Sequence, residues 1–212
     1  MYGDELRSRD YYEGRVRWYD WGNRLSALLR GVSDSGERLK AVDRLNLKPG
    51  RRVLEVSVGT GTNLPLMARY VGPAGQLIGL DISRAMLDMC RRKLRRHALD
   101  SELVEGEAAH LPFADHVFDA VLHHGGIAEF GDKKGAIREM MRVARPGAKI
   151  VVCDAGVPPD RQLPLISRLL LRLNPPAYAQ EPPLELIPPE VRDIQVNWFR
   201  GDAWYLIDFV NP

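Results

Sequence analysis

Short apolar strands alternate with helical segments between residues 51 and 153, and this alternation constrains the fold more than any other feature of the chain. The apolar runs lie at Arg51–Val58, Gln76–Leu80, Glu102–Glu105, Ala120–His123 and Lys149–Cys153. Helical patterns separate them at Leu64–Tyr70, Ser83–His97 and Lys133–Ala144. Alternation of this kind is typical of βαβ units, in which consecutive strands run parallel and helices cover both faces of the sheet. The sequence therefore predicts an α/β fold with a mostly parallel sheet.

The regions on either side of this alternation have other patterns. Residues 11–50 show apolar residues at helical spacing, with Ser33 to Ser35 as N-caps for a second helix. After residue 154, prolines surround one apolar helix, LPLISRLLLRL, and the tail predicts two strands joined through Arg200–Asp202. We predict a single domain over residues 1–212. It consists of a helical cap (1–50), a core (51–154) and a Pro-rich cap with a final strand pair (155–212).

Composition excludes several classes of protein. The 212 residues carry 30 Lys and Arg against 28 Asp and Glu, and this net charge of +2 does not suit a dedicated nucleic-acid binder. The two cysteines, Cys90 and Cys153, lack metal-ligand spacing, so we expect neither a disulfide framework nor a metal site. No apolar run is long enough to cross a bilayer, and the first residues lack a signal peptide's apolar core. We expect a soluble, cytoplasmic protein; the sequence defines no oligomeric state.

A tight turn with two glycines follows the first strand. Gly59 and Gly61 allow a sharp bend and a close ligand, although plain turn geometry explains them equally well. Asp81 ends the next strand, where an acidic side chain accepts hydrogen bonds from both hydroxyls of a ribose; alone, it is more often a turn residue before Ser83. A dinucleotide site requires a third glycine where Leu64 stands. These residues together favour a mononucleotide-like cofactor over a dinucleotide such as NAD.

From Leu54 to about Asp154 the chain resembles class I S-adenosylmethionine-dependent methyltransferases, and it is most similar to their ubiquinone/menaquinone-biosynthesis and phospholipid N-methyltransferase branch. Motifs of the family match, in order, at Glu55–Gly61 (ExGxGxG), Gly79–Ser83 (ribose), Gly106–Phe113 (adenine), Phe118–Val121 and Glu139–Gly147. Two residues depart from the pattern: Ser57 stands at the first glycine and Glu107 at an aspartate. The resemblance implies S-adenosylmethionine as the cofactor. It also implies a Rossmann-like sheet of seven strands with helices on both faces and a C-terminal antiparallel hairpin.

The resemblance assigns roles around the methionine part of the cofactor. Glu55 orients the loop or reaches the methionine amino group through water, and Gly59 and Gly61 let the backbone approach the methionine moiety. Ser57 is tolerated there if its φ is negative; otherwise its side chain crowds the cofactor carboxylate.

Further roles concern the adenosine part. Asp81 holds the ribose. Ile82 and Met86 pack on the adenine, with ordinary core packing as the alternative. Glu107 or the Ala108 amide meets the edge of the adenine ring.

Methyl transfer from a sulfonium requires alignment of donor and acceptor and exclusion of water, and it requires a base only if the nucleophile loses a proton. His123 and His124 are the candidate bases, because the carboxyl ends of strands in open α/β sheets face the ligand. The alternative is that the two histidines form hydrogen bonds with backbone groups at the end of the strand. Tyr19, in the aromatic N-terminal region, is a third candidate catalytic residue. The segment that follows His123 and His124 lacks an NPPY-like motif, which disfavours methylation of DNA adenine or glutamine.

The segments outside the core are expected to select the acceptor. WYDWGNRL is similar to the YDxxNRL element of quinone methyltransferases, which predicts a small hydrophobic acceptor of the quinol or lipid type. Alternatives are a phospholipid N-methyltransferase and a non-catalytic methyltransferase-like binding domain; an RNA methyltransferase is disfavoured by the charge. We expect LPLISRLLLRL to be a buried cap helix and the aromatic stripe of the N-terminal region to be packed; the stripe consists of Tyr11, Tyr12, Trp18, Tyr19 and Trp21. The alternative for the helix is peripheral contact with a membrane.

Overall fold

The computed structural model describes residues 20–160, 162–172 and 180–212. Helices cover residues 20–29 (α1), Asp34–Arg44 (α2), Leu64–Val71 (α3), Arg84–Arg96 (α4), Lys133–Val143 (α5) and Leu165–Leu171 (α6). Strands cover Arg52–Val56 (β1), Gln76–Asp81 (β2), Glu102–Glu105 (β3), Phe118–His124 (β4), Ala144–Ala155 (β5), Gln195–Phe199 (β6) and Trp204–Val210 (β7). Tyr19 and the other aromatic residues before it lie outside the described residues.

The strands form one seven-stranded sheet in the order β3-β2-β1-β4-β5-β7-β6. The first five strands are parallel, whereas β7 runs antiparallel to both β5 and β6. The predicted fold, with its C-terminal antiparallel hairpin, is confirmed. The chain passes from the β3 edge back to the far side of β1, so the carboxyl ends of β1 and β4 form the switch point where open α/β sheets bind ligands.

Helices cover both faces of the sheet, as predicted. Apolar residues of α2, α3 and α4 pack on one face, and those of α5 and the segment around Ile187 pack on the other. Within the described ranges, no helix is both long and apolar enough to cross a bilayer.

Side-chain caps start α2 and α4 at the predicted serines. The Ser83 hydroxyl accepts a hydrogen bond from the Met86 amide at 3.3 Å, and the Ser33 hydroxyl accepts one from the Gly36 amide at 3.4 Å. Within the core, the largest boundary difference is in β5, which begins at Ala144, five residues before the predicted start. The Asn211 side chain donates to the Ala144 carbonyl oxygen at 2.9 Å, and this contact, 67 residues away in sequence, helps hold the segment extended.

The expected burial of the cap helix α6 is wrong. In α6, Ser167 is buried while Leu165 and Leu169 are exposed. In α1, Ala27 is buried while Leu25, Leu28 and Leu29 face solvent, as does Trp21, the one aromatic residue of the N-terminal stripe within the described residues. The helical periodicity is correct, but the small residues rather than the large apolar ones face the protein.

Candidate active site

The carboxyl ends of four strands bring most of the predicted site residues to one edge of the sheet. Val56, at the end of β1, lies opposite Leu80 of β2 and His123 of β4 in the strand register. Asp81 likewise lies opposite Glu105 of β3. The glycine turn after β1, the acidic end of β2 and the Gly106–Phe113 segment after β3 are therefore neighbours.

Asp81 ties the ends of β1 and β2 together. Its Oδ2 accepts a hydrogen bond from the Gly59 amide at 2.8 Å, and its Oδ1 accepts one from the Ser83 amide at 2.9 Å. Burial raises the pKa of the carboxyl to about 6, and the backbone hydrogen bonds oppose that rise. Asp81 is therefore a carboxylate at neutral pH, and each oxygen keeps a lone pair for a further donor. The turn role weighed for this residue is present, and it leaves the geometry for the ribose role intact.

Glu55 is a buried carboxyl group with one oxygen unsatisfied. Its Oε1 accepts a hydrogen bond from the Asn63 amide nitrogen at 2.6 Å, whereas Oε2 has no hydrogen-bond partner within the described part of the chain. Burial raises the pKa of this group to about 8, although the Asn63 bond and the Arg38 charge both lower it. A buried oxygen without a donor is costly, and a ligand ammonium group would satisfy it. The site therefore fits the amino group of a methionine moiety.

The turn between β1 and α3 has two features that the motif does not reveal. Ser57 has a φ of +59°, so this serine adopts the left-handed conformation that favours glycine, and the negative φ given as the condition for tolerating it is not met. A Cβ on Gly61 would lie 2.3 Å from the Cys90 sulfur of α4. Gly61 is thus required for close packing of α4 against the turn as well as for its own φ of +73°.

A pocket lies beside the ends of β2 and β3. Its walls include four residues predicted for the cofactor: Ser57, Ile82, Glu107 and Ala108. Phe130, from the loop after β4, also lines it and had no signal in the sequence. Met86 is buried but does not line this pocket, so core packing describes it better than contact with adenine.

The two candidate histidines point to opposite faces of the sheet. The His123 ring lies 5.2 Å from the Phe130 ring, on the face that carries α5, and the His124 ring lies 5.2 Å from the Trp204 ring, on the other face. His123 Nδ1 is 3.1 Å from the Val56 carbonyl oxygen. Because a carbonyl only accepts, Nδ1 carries the proton and Nε2, buried without a hydrogen-bond partner, holds the lone pair.

Both histidines are uncharged at neutral pH. Burial lowers the pKa of His123 to about 4. Burial, followed by the charges of Arg38 and Arg200, lowers the pKa of His124 well below its usual value. His124 Nδ1 also lies 3.4 Å from an Arg38 guanidinium nitrogen, so its lone pair already accepts from a cation.

A buried polar chain behind the site was not found by sequence reasoning. Arg38 of α2 donates to Asp34 Oδ2 at 3.0 Å and to Asn63 Oδ1 at 3.1 Å, and Asn63 passes the connection on to Glu55. The sequence gives no sign that Arg38 is buried, because it lies in the middle of the charged helix α2. Asn63 could have been noticed, because it directly precedes α3. These contacts connect the cap helix α2 to the ends of β1 and β4.

Asp154, at the end of β5, was also missed. Its Oδ2 accepts hydrogen bonds from the Gly126 and Ala128 amides at 3.2 and 2.9 Å, and its Oδ1 accepts one from the Ala155 amide at 2.7 Å. Burial raises the pKa of this carboxyl to about 6, with the three amides opposing the rise. Asp154 therefore fixes the loop that carries Phe130, and an acid at a strand end was a signal the sequence did contain.

A second polar cluster attaches α1 to the glycine turn. Lys93 Nζ of α4 lies 2.7 Å from Asp20 Oδ2 and 2.9 Å from the Thr60 hydroxyl, and that hydroxyl donates to Asp20 Oδ1 at 2.6 Å. The start of α1 is thus held against the glycine turn. Across the described ranges there is no cluster of three or more His, Cys, Asp or Glu side chains that could bind a metal.

Comparisons with known proteins agree with this geometry. Residues 54–152 match a family described as a methyltransferase domain. The chain is 36% identical over 145 residues to a demethylmenaquinone methyltransferase from Thermus thermophilus, covering 68% of this chain and 66% of the relative. It is 34% identical over 152 residues to a ubiquinone/menaquinone biosynthesis C-methyltransferase from Hahella chejuensis, covering 71% and 59%. The match thus spans less than two thirds of the length of these relatives.

The fold is also that of solved methyltransferases. The crystal structure of an S-adenosylmethionine-dependent methyltransferase from Aquifex aeolicus superposes with a TM-score of 0.67 at 19% identity, covering 94% of this chain and 98% of that one. Motif order, strand order and curated relatives lead to the same assignment. The chain belongs to the class I S-adenosylmethionine-dependent methyltransferase family, and its relatives lie in the ubiquinone/menaquinone-biosynthesis branch.

Proposed function

We propose that this protein transfers a methyl group from S-adenosylmethionine to a small hydrophobic acceptor of the quinol type, in the cytoplasm and in peripheral contact with a membrane. One observation carries the proposal: the unsatisfied oxygen of Glu55, the carboxylate of Asp81 and the pocket at Ile82 and Ala108 follow one another along the edge of the sheet. Their order matches the order of ammonium, ribose and base in the cofactor. The names of the curated relatives support the quinol acceptor.

Each part of the cofactor would be bound by a different residue at this edge of the sheet. Glu55 would hold the ammonium group, Asp81 the ribose hydroxyls, and Ile82 with the Ala108 amide the adenine. Bound there, S-adenosylmethionine supplies an electrophilic methyl group on a sulfonium, and the reaction is an in-line displacement. The protein's contribution is to align the acceptor and exclude water.

His123 is the better candidate of the two histidines for accepting a proton or a hydrogen bond from the acceptor. Its Nε2 lone pair has no partner among the described residues, whereas the lone pair of His124 faces Arg38. The low pKa of His123 makes it a weak base, which suits an acidic nucleophile such as a phenolic hydroxyl. Tyr19 remains a proposed catalytic residue.

A second candidate function is a methyltransferase-like domain that binds the cofactor without turnover. The left-handed Ser57 favours it, because the side chain lines the pocket where the family has glycine. In this case the protein binds S-adenosylmethionine but methylates no acceptor.

The experiment is a single-turnover assay with S-adenosylmethionine carrying a labelled methyl group. A reduced naphthoquinol with a short side chain is offered in one reaction and phosphoethanolamine in another. We expect label on the quinol only. Label on phosphoethanolamine alone would replace the quinol by an amine acceptor, and cofactor binding without label on either would favour the binding domain.

Histidine variants test the proton acceptor in the same assay. His123→Asn is expected to lower kcat by about 10²-fold or more while leaving the cofactor Kd unchanged. His124→Asn is the matched variant on the opposite face of the sheet; its main effect is expected on stability, because it removes a partner of Arg38. Equal kcat for His123→Asn and the wild type would remove His123 from the proposal.

A further inference from the structure

Two short cap helices, α1 and α6, present large apolar side chains to solvent. In α1, Trp21, Leu28 and Leu29 are 61%, 71% and 49% exposed, and in α6, Leu165 and Leu169 are 75% and 55% exposed. Leu25 and Ile166, on the same two helices, are 37% exposed. Exposed large hydrophobic residues gathered in this way mark a contact surface more often than scattered ones do.

Helical spacing places these residues on one face of each helix. Residues 21, 25, 28 and 29 recur at intervals of four, three and one, and residues 165, 166 and 169 follow the same rule. The opposite faces are the buried ones: Ala27 in α1 and Ser167 in α6. Each helix is therefore amphipathic with its apolar side outward, the reverse of a cap helix that packs on its own protein.

The two helices flank the turn between β6 and β7. The Ser167 hydroxyl donates to the Gly201 carbonyl oxygen at 2.8 Å. A Cβ on Gly201 would lie 3.0 Å from that hydroxyl and 3.8 Å from Cδ of Arg30, which follows α1. The residues of both helices or next to them thus contact the same turn, which places α1 and α6 on the same part of the protein surface.

The charges on this surface have one sign. The described residues 20–32 and 162–172 contain four arginines, at positions 24, 30, 168 and 172. Asp20 is the sole acidic residue in these two stretches, and its carboxylate is paired with Lys93. Arg168 and Arg172 each follow an exposed leucine by three residues, one helical turn away, and both are exposed. Apolar side chains bordered by arginines are complementary to an anionic lipid surface.

The surface is also connected to the candidate active site. The Arg200 guanidinium carbon of the same turn lies 4.9 Å from the Trp204 ring centroid, and Trp204 packs against His124 at the end of β4. The start of α1 is held over the glycine turn through Asp20. An acceptor that enters beside this surface therefore arrives at the carboxyl ends of the strands.

We propose that the exposed faces of α1 and α6 form a docking surface for an anionic phospholipid bilayer, from which the protein takes its acceptor. We name it the lipid-facing surface: residues 21, 24, 25, 28 and 29 of α1 and residues 165, 166, 168, 169 and 172 of and after α6. This inference rests on the proposed function for the origin of the acceptor, but lipid binding itself is independent of methyl transfer.

The test is co-sedimentation of the full chain with vesicles, with neither cofactor nor acceptor present. One set of vesicles is phosphatidylcholine, and the other is phosphatidylcholine mixed with phosphatidylglycerol. We expect binding to the mixed vesicles, weakened by added salt because the arginine contribution is screened. Leu165→Ser with Leu169→Ser is expected to lower the partition coefficient by at least about tenfold, from the apolar area withdrawn from the membrane.

Matched variants distinguish binding through this surface from nonspecific adsorption of the protein to vesicles. Leu184→Ser alters a leucine that is 41% exposed, outside α1 and α6, and is expected to leave binding unchanged. Arg168→Gln with Arg172→Gln is expected to lower binding to the mixed vesicles by about tenfold, whereas Arg138→Gln on the exposed side of α5 has no effect. Thermal unfolding of each variant checks that the fold is retained.

Three results would overturn the proposal. They are absence of binding to the mixed vesicles, an equal loss of binding in Leu184→Ser, and a dimer in sedimentation equilibrium that Leu165→Ser with Leu169→Ser converts to a monomer. The last would make the surface an interface between two copies of the chain. If the wild type binds lipid but transfers no methyl group to a water-soluble acceptor, the proposed function is contradicted and this inference still holds.

Discussion

The two sides of the candidate site are held together by different kinds of contact. The cofactor side comprises the Glu55–Gly61 turn, Asp81 and the pocket at Ile82 and Ala108. Here the Gly59 backbone amide donates to the Asp81 carboxylate, only 22 residues away in the sequence. On the cap side, which comprises α1, α2, α6 and the β6–β7 turn, charged side chains join elements as much as 166 residues apart, as between Asp34 and Arg200. The cofactor side is thus a local motif, and the cap side is an assembly of distant parts.

This difference has an energetic consequence. Hydrogen bonds between a strand-end carboxylate and neighbouring amides form as soon as β1 and β2 pair, whereas the cap side depends on buried charges that must all be partnered. We therefore expect substitutions on the cap side to act mainly on stability and substitutions on the cofactor side to act mainly on ligand binding.

The largest expected effect on stability is that of Arg38→Ala. The guanidinium is buried and bonds Asp34, Asn63 and His124, so its removal leaves buried polar groups without a partner. We expect a loss of about 3–5 kcal/mol in the free energy of unfolding, measured by urea denaturation. Arg38→Met, which keeps the volume, should cost less. Arg138→Ala on the exposed side of α5 should stay within about 0.5 kcal/mol. If Arg38→Ala and Arg138→Ala behave alike, buried charges do not hold the cap side.

A pH titration of stability tests Glu55. Its pKa is about 8 in the folded protein against an ordinary value of 4.5, so the native state binds the proton more tightly and stability falls as pH rises between these values. Asp81 and Asp154 act in the same direction, but only up to about pH 6. The buried histidines, whose pKa values are lowered, make stability rise with pH up to about 6.5.

Between pH 6.5 and 8, Glu55 is therefore the one of these buried groups that determines how the unfolding free energy changes with pH. We expect the unfolding free energy of the wild type to fall in this window with a slope of at most about 1.4 kcal/mol per pH unit. Glu55→Gln should flatten the slope. A wild type without this slope would show that Glu55 is ionised in the native state and that its second oxygen already has a partner.

Ser57→Gly is expected to have the smallest effect. Replacing a serine at φ +59° by glycine relieves strain and should stabilise the protein by up to about 1 kcal/mol. Because Ser57 lines the pocket, the cofactor Kd should also fall. Asn46→Gly, at φ +51° on an exposed turn, is the matched control and should leave the Kd unchanged. A higher Kd for Ser57→Gly would mean that the hydroxyl contacts the cofactor.

The same contrast explains what could be read from the sequence. The mostly parallel sheet, the glycine turn and the position of Asp81 follow from periodicity and spacing, which are local in the chain, whereas the pocket residues Ile82 and Ala108 follow from the family resemblance. The packing of Gly61 against the Cys90 sulfur was not predicted, because the motif does not show which helix lies beside the turn.

The cap side was harder to predict for a physical reason. Burial of Arg38 and exposure of Leu165 both run against the hydrophobicity of the residue, so patterning alone assigns each to the wrong environment. Only the contacts with Asp34, Asn63 and the β6–β7 turn explain them, and these contacts link residues distant in sequence. Where hydrophobicity fails in this way, the exception itself indicates a site or a surface.

The central claim, that the cofactor binds along the carboxyl edge at Glu55, Asp81 and Ala108, is tested most directly by calorimetry with S-adenosylhomocysteine. We expect saturable binding by the wild type and a Kd at least about 100-fold higher for Asp81→Asn, since the variant would lose the charge that we propose bonds the ribose. Asp119→Asn is the matched control, because Asp119 also accepts a backbone amide, from Arg52 at 2.8 Å, but lies near the start of β4. It should bind like the wild type. No binding by the wild type at millimolar ligand, or equal Kd values for Asp81→Asn and the wild type, would contradict the claim.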